Sequence, residues 1–408
     1  MNSEILRVSY FKDKINPYFP CHMDGYGERI SYSQNDDLEI RSLLIESNKL
    51  ILFHVLDIIL FQKEFADRVK RVLFERFNLT EEQIILEATH THSGPKVSTV
   101  VDKSIPIEGK YMDLILEKIV KNTEMCLRNK RKVKASYGEC EVNGLYGNRN
   151  KNELPYNNRV YTLLFKDLDD TPIVSFINIA CHPTTLSKTS EIISSDFIGY
   201  LRNEYLKITG IDAIVCNGEC GDVSTRFVRR GQDFNEVKRI GIGIAREVAK
   251  TNSFKEISLE NMSIEKVSLR LHLNPNKEDF LIKNRDLLKK MLKGLDKDSA
   301  QYYFLHDILL KNIEELMSKK EIIYEPTAFI YQSKDFRFVT IPGELVYSLG
   351  ALLRDKDKKP MFINAYSNEY NGYAVDKEQY GKYPESFCTN YPYGKADEFI
   401  KEIIDLYN

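Results

Sequence analysis

Residues Ile84 to Pro95 read "IILEATHTHSGP": an apolar run, then two histidines one residue apart, His90 and His92, then Gly94-Pro95. The run Ile84 to Ala88 has the composition of a buried strand, and Gly94-Pro95 stops it. Side chains two residues apart on a strand leave the same face. If the strand continues through His92, both imidazoles point at one spot beside a loop. In one reading that spot is a metal site, with one imidazole ligating and the other touching whatever the metal activates. In the other it is a hydrogen-bonded histidine pair at a strand end. The stretch alone leaves both open, so the rest of a chain with only seven histidines has to discriminate.

At 408 residues the chain can bury a large core. Its 58 Lys and Arg nearly balance 60 Asp and Glu, for a net charge of -2. That balance points away from a nucleic-acid partner and from a broadly basic membrane face. The cysteines (Cys21, Cys126, Cys140, Cys181, Cys216, Cys220 and Cys388) are scattered and odd in number, and no CxxC pair with zinc spacing occurs. Reduced thiols in a cytoplasmic protein are expected. "MNSEILRVSYFKDKINPYFP" lacks the basic start and apolar run of a signal peptide. "KLILFHVLDIILF" (Lys49 to Phe61) is too short for a membrane-spanning helix and carries Asp57, so no transmembrane segment is expected.

Along the chain, strand and helix patterns alternate loosely to residue 250. "LILFHVLDIIL" reads as strand and "QKEFADRVKRVLFERFNL" as helix; "KYMDLILEKIVKNTEMCLRNK" has helical spacing again. Strands are expected at "KASYGECEVNG", "NRVYTLLFKD", "PIVSFINIACHP" and "DAIVCNGECGD". "SDFIGYLRNEYLKITG", closed by Gly210, and "NEVKRIGIGIAREVAK" read as helices. The class is therefore α/β, with mixed β-sheets flanked by helices. At about 275–320 a Lys-, Asp-, Glu- and Leu-rich stretch predicts one or two charged helices, read as a solvated insertion ahead of a lid. Residues 1–408 otherwise read as a single domain.

Four further stretches look unusual for pure structure. "NIACHPTTL" puts His182 at a strand end before Pro183, and "VCNGECGDVSTRF" ends a strand in a Gly-rich turn with Asp222 and Ser224. "TIPGELVYSLG" sets Glu344 after Pro-Gly, where a carboxylate at a helix start is the ordinary account. "SNEYNGYAVDKEQYGKY" packs four tyrosines into an irregular segment.

Taken in order, these pieces resemble the catalytic domain of the neutral ceramidases, zinc-dependent amidases that split ceramide. The resemblance runs from about Met23 to about Gly394. It comprises "MDGYG" (Met23 to Gly27), "THTHSGP", "GNRN" (Gly147 to Asn150), "CHPTTL" with "SSDFIGY", "GDVS", "PGE" and "SNEYNGYAVDKEQY". It implies zinc on His90, His182, Glu344 and Tyr373, with His92 beside the metal. It implies that Arg149 and Tyr383 hold the scissile amide, that the backbone near Gly25 to Gly27 lies close by, and that Ser224 is the catalytic serine. Such chemistry is coherent. An amide carbonyl is a poor electrophile, and Zn2+ held by N and O donors supplies Lewis acidity and a nucleophile usable near neutral pH.

The chain also departs from the family pattern. Neither a secretion signal nor the family's C-terminal immunoglobulin-like domain is expected. Asp24 replaces an apolar residue, Asn150 and Lys151 follow Arg149, and Thr225 follows Ser224. The expectation is an amide hydrolase acting on ceramide or a related N-acyl compound, with Asp24, Asn150 or Lys151 near the rim of its pocket. The alternatives are a deacylase of a small polar intermediate and a non-catalytic lipid-binding homologue. A TIM-barrel amidohydrolase also uses an HxH strand, but it wants two further histidines and a late Asp, and ranks low.

Overall fold

A computed structural model describes residues 5–100, 102–297, 299–356 and 359–407. The strand Ile84–Ala88 is present and every residue in it is buried. It lies parallel to Leu50–Leu56, with Leu52 opposite Ile84 and Leu56 opposite Ala88. From there the main sheet runs through Glu39–Glu46, Arg7–Lys14, Arg131–Glu141, Arg159–Asp167 and Pro172–Ile179 to Ala213–Asn217. Lys255–Ile257 adds to Arg131–Glu141. The pairs at the two ends are parallel and those between them antiparallel.

Period-two alternation explains the layers. Leu44, Leu52, Leu56 and Leu86 pack with Val69 and Leu73 of the helix Lys63–Phe77 and with Ile115 and Ile119 of Gly109–Arg128. Their neighbours Leu43, Phe53, Val55 and Ile85 belong to the opposite face. There Phe53 meets Phe338 at 5.2 Å and Phe176 meets Phe362 at 5.3 Å between ring centroids. Phe338 and Phe362 come from a second sheet, ordered Ser263–Ser268, Thr327–Gln332, Arg337–Thr340, Met361–Asn364. Its other face, with Ala328 and Ile330, packs with the helices Tyr347–Asp355 and Lys395–Asp405. The mixed α/β architecture is thus helix, sheet, sheet, helix.

The helices start and stop where their sequences allow. Phe197–Thr209 is capped by Asp196 and ends in the left-handed Gly210, φ 72°. The Asp233 side chain accepts from Glu236 N at the start of Phe234–Ala249. The charged stretch forms the helix Asp279–Met291 and a second helical segment from Ala300 to Ser318. Asn284 Nδ2 donates to Ser386 O at 2.9 Å, and Tyr303 closes on Gly27 so tightly that a Cβ there would strike its hydroxyl. The insertion therefore packs on both the "MDGYG" segment and the tyrosine-rich segment. Among the described residues no helix is long and apolar enough to cross a membrane.

Candidate metal centre

The strand carrying the histidine pair stops at Ala88, not at His92. His90 instead takes a left-handed backbone, φ 69°, a conformation that costs energy for a side-chain-bearing residue. The two imidazoles converge through this turn rather than through strand alternation. His182 likewise lies three residues beyond Pro172–Ile179, in an isolated bridge with Ser224.

His90, His92 and His182 form one cluster, their ligand atoms all within 4.8 Å of one another. Each Nδ1 faces a main-chain carbonyl: His90 to Ile59 O at 2.7 Å, His182 to Cys220 O at 2.6 Å, His92 to Gly25 O at 3.1 Å. A carbonyl only accepts, so each Nδ1 carries the proton and each Nε2 presents a lone pair. Two of those lone pairs, on His90 and His92, meet at 3.1 Å. Gly25, φ 92°, lets its carbonyl approach; a Cβ there would sit 2.7 Å from His92 Nδ1.

Glu344 completes the cluster. Its carboxylate lies 2.9 Å from His182 Nε2 and 3.6 Å from His90 Nε2. His182 Nε2 nevertheless has no hydrogen bond. Burial pushes the His90 imidazole down to about 4 despite the Glu344 charge, and pushes His92 well below its usual range, helped by the other two imidazoles. Burial alone would raise Glu344, but His90, His182 and Arg149 hold it below the usual carboxylate range. Protons are thus unwelcome between nitrogens that need a positive charge between them. A metal cation suits this set of donors.

Glu344 and Tyr373 are register partners in a short parallel pair. The Tyr373 hydroxyl accepts from Arg149 Nη2 at 2.9 Å, and Arg149 Nε donates to Glu385 Oε1 at 2.8 Å. Ser224 is buried and pairs with Gly147, beside the Arg149 turn and His182. Tyr383 caps the turn Pro384–Phe387 and makes no hydrogen bond with the cluster. Glu385, in that turn, is the residue brought against Arg149. Asp24 is not at a rim: it is fully buried, accepting from Val97 N, Ser98 N and Lys96 Nζ. Asn150 is half-buried and donates to Glu385 Oε2 at 2.9 Å, while Lys151 is exposed.

Several contributors were not singled out individually from the sequence. Tyr366 stacks on His90 with centroids 4.1 Å apart, and its hydroxyl reaches Glu344 Oε2 at 3.3 Å. Tyr370 donates to Glu344 Oε1 at 2.5 Å; the four-tyrosine stretch was the available clue. Asn217 joins the two histidine segments. Its Nδ2 donates to Thr89 O at 3.1 Å and Cys181 O at 3.2 Å, and its Oδ1 accepts from Cys181 N at 3.2 Å. Glu87 Oε1 accepts from Asn217 N, and Glu87 Oε2 from Asn364 Nδ2.

No protein-family model matches the chain. Among solved structures, a crystal structure of neutral ceramidase from Pseudomonas aeruginosa matches with a TM-score of 0.76 at 16% sequence identity, over 99% of this chain and 74% of that one. A ceramidase complexed with C2 matches with a TM-score of 0.74 at 15% identity, over 99% and 75%. The chain has the neutral-ceramidase fold.

Proposed function

We propose that the protein is a zinc-dependent hydrolase that splits an N-acyl bond, in ceramide or a related linear amide. The observation that carries this is the clustering of three imidazoles, every Nδ1 tied to a carbonyl, with the Glu344 carboxylate against Nε2 of His182 and of His90. In this reading residues 1–408 work as one catalytic unit. His90, His182, Glu344 and Tyr373 would hold the metal; burial pushes the Tyr373 hydroxyl well above its usual pKa, and Arg149, bonded to it, offsets part of that shift. The bound cation supplies Lewis acidity at the scissile carbonyl.

The chain's own groups do the rest. Ser224 Oγ is the nucleophile or orients the attacking water. His92, held by Gly25 O through Nδ1–H, offers its Nε2 lone pair to take the nucleophile's proton and pass it to the departing amine. Arg149 positions the amide, fixed in turn by Glu385, with Tyr383 in the adjoining turn as a second candidate for that task. The C–N bond breaks, the amine leaves protonated, and water completes the carboxylic acid.

A smaller, more polar N-acyl substrate is the second reading. It is supported by the charged and amide groups Arg149, Asn150 and Glu385, which bond to one another beside the cluster. Nucleic acid has no place in either reading, and a cytoplasmic setting suits both. The test is elemental analysis of the purified protein together with a mass-spectrometric screen of N-acyl compounds, ceramide included. Stoichiometric zinc with turnover is expected. Zinc-free protein that binds acyl lipid without cleaving it would replace the reading with a non-catalytic homologue.

A further inference from the structure

Three arginines around the histidines lack an acidic partner among the described residues, whereas several inward arginines elsewhere have one. Arg41 pairs with Glu39 and Asp212, Arg202 with Asp57, Arg354 with Glu219. Arg29, by contrast, is 5% exposed and donates only to main-chain carbonyls: Ser190 O at 2.9 Å, His92 O at 2.7 Å, and Asp24 O. Its Nε is buried without a partner. Arg229 donates to Thr184 O at 2.9 Å, two residues past His182. Arg226 is exposed, reaches Arg149 O at 3.4 Å, and lies over the Phe227 ring. Among the described residues none of the three is ion-paired.

The neighbouring carboxylates are engaged elsewhere. Asp24 takes Val97 N, Ser98 N and the Lys96 ammonium; Asp196 takes Thr185 N, Leu186 N and Phe197 N; Glu236 takes Arg239. Glu191 is exposed. Arg29 is pinned instead to the main chain at His92, Ser190 and Asp24, Arg226 to that at Arg149, and Arg229 to that at Thr184 and to the side-chain amide of Gln232. Tyr26 joins them to the site, with Arg29 4.9 Å from its ring centroid and His92 5.0 Å from it, ring to ring. A buried guanidinium without counter-charge is costly, and an anion that binds beside it recovers that cost. The planar fork suits carboxylate and phosphate alike.

We propose that Arg29, Arg226 and Arg229 form an anion subsite beside the histidines, and that the N-acyl substrate carries a carboxylate or phosphate beyond its scissile amide. Arg29 supplies buried positive charge, and Arg226 and Arg229 contact the anion. The substrate half of this inference rests on the amide-hydrolase reading.

The experiment uses the full chain loaded with zinc and four octanoyl amides in two matched pairs: of glycine against glycinamide, and of ethanolamine phosphate against ethanolamine. At least one charged member should exceed its neutral partner in kcat/KM by about 10-fold or more. The pair that shows the preference identifies carboxylate or phosphate. That ratio should fall several-fold in Arg229→Gln and in Arg226→Gln, the latter an exposed change that leaves folding intact. Ratios near one, unchanged in both variants, would overturn the subsite and leave the guanidiniums as ties between loops. If none of the four is hydrolysed, turnover of ceramide in the wider N-acyl screen decides the hydrolase reading, and calorimetry with the same four compounds decides the subsite. Salt-sensitive binding of the charged members, weakened in both variants, supports it; equal or absent binding overturns it.

Discussion

His90 and Ser224 separate the two parts of the proposed chemistry. His90→Ala is expected to lose zinc and turnover together, whereas Ser224→Ala should keep stoichiometric zinc, by elemental analysis, and lose turnover. Near-normal turnover in Ser224→Ala would leave water as the only nucleophile. Asn217 is a subtler case, because it is none of the proposed ligands but spans the residues before His90 and His182. Asn217→Ala leaves two buried carbonyls unsatisfied, costing about 1–3 kcal/mol of stability. It should also weaken zinc binding by about 10–100-fold in a chelator competition. Asn122→Ala removes a buried amide whose bond, to Ser42 Oγ at 3.2 Å, involves none of the clustered residues. It should lower the melting temperature without that loss of affinity. Equal zinc affinity in the two variants would reduce Asn217 to a packing role. His90, His92 and His182 stood out in the sequence by their strand-end settings, and the structure brings them together with Glu344; Tyr373 was reached only through the family resemblance. Asn217, Tyr366 and Glu385 did not stand out, since an Asn, a Tyr or a Glu has no distinctive setting until long-range pairing supplies one.

Elements were readable where one period dominated. Ile84–Ala88, Phe197–Thr209 and Phe234–Ala249 lie where apolar spacing and caps put them. The strand end was not readable, because the left-handed turn at His90 is imposed by Ile58 O and Ile59 O, which take His90 N and Nδ1 from another part of the chain. The strand Leu50–Leu56 also carries a pH sensor outside the site. His54 is fully buried between Ser42 Oγ at 2.7 Å and Thr123 Oγ1 at 3.0 Å, and burial pushes its pKa down to about 3. Between that value and an unfolded pKa of about 6.5, the unfolded chain holds a proton there and the folded chain does not. Stability from this group is therefore complete above the unfolded value and declines as pH falls, by up to about 1.4 kcal/mol per unit. Denaturant titrations from pH 7.5 to 5 should show a shallower decline for His54→Gln than for the parent. Identical slopes would place the acid sensitivity elsewhere.

At the scale of the whole molecule, the sheet's two terminal strands meet. Ala213–Asn217 reaches Ile84–Ala88 through Asn217 N and Glu87 Oε1, and the second sheet joins them through Asn364. A sequence displays strands but not which ones end a sheet, so this closure had no sequence signal. A cation binding only where these parts meet favours the folded chain by mass action. Zinc at a hundred times its dissociation constant should add about 2.7 kcal/mol. Calorimetry with and without a chelator should show the melting temperature falling on metal removal; an unchanged value would argue that no ion belongs there.

The separation of these parts along the chain has a consequence for how the protein is made. Glu87 and Asn364 are 277 residues apart, and Leu86 and Asn368 are 282. A ribosome releases His90 and His182 long before Glu344 and Tyr373, and contacts between such distant positions form slowly. The emerging chain thus carries its histidines for much of synthesis without the carboxylate and tyrosines that surround them in the finished fold. If the chain binds zinc as proposed, capture of the ion belongs to the end of biogenesis, when the last strands arrive and the nitrogens can no longer be met by water.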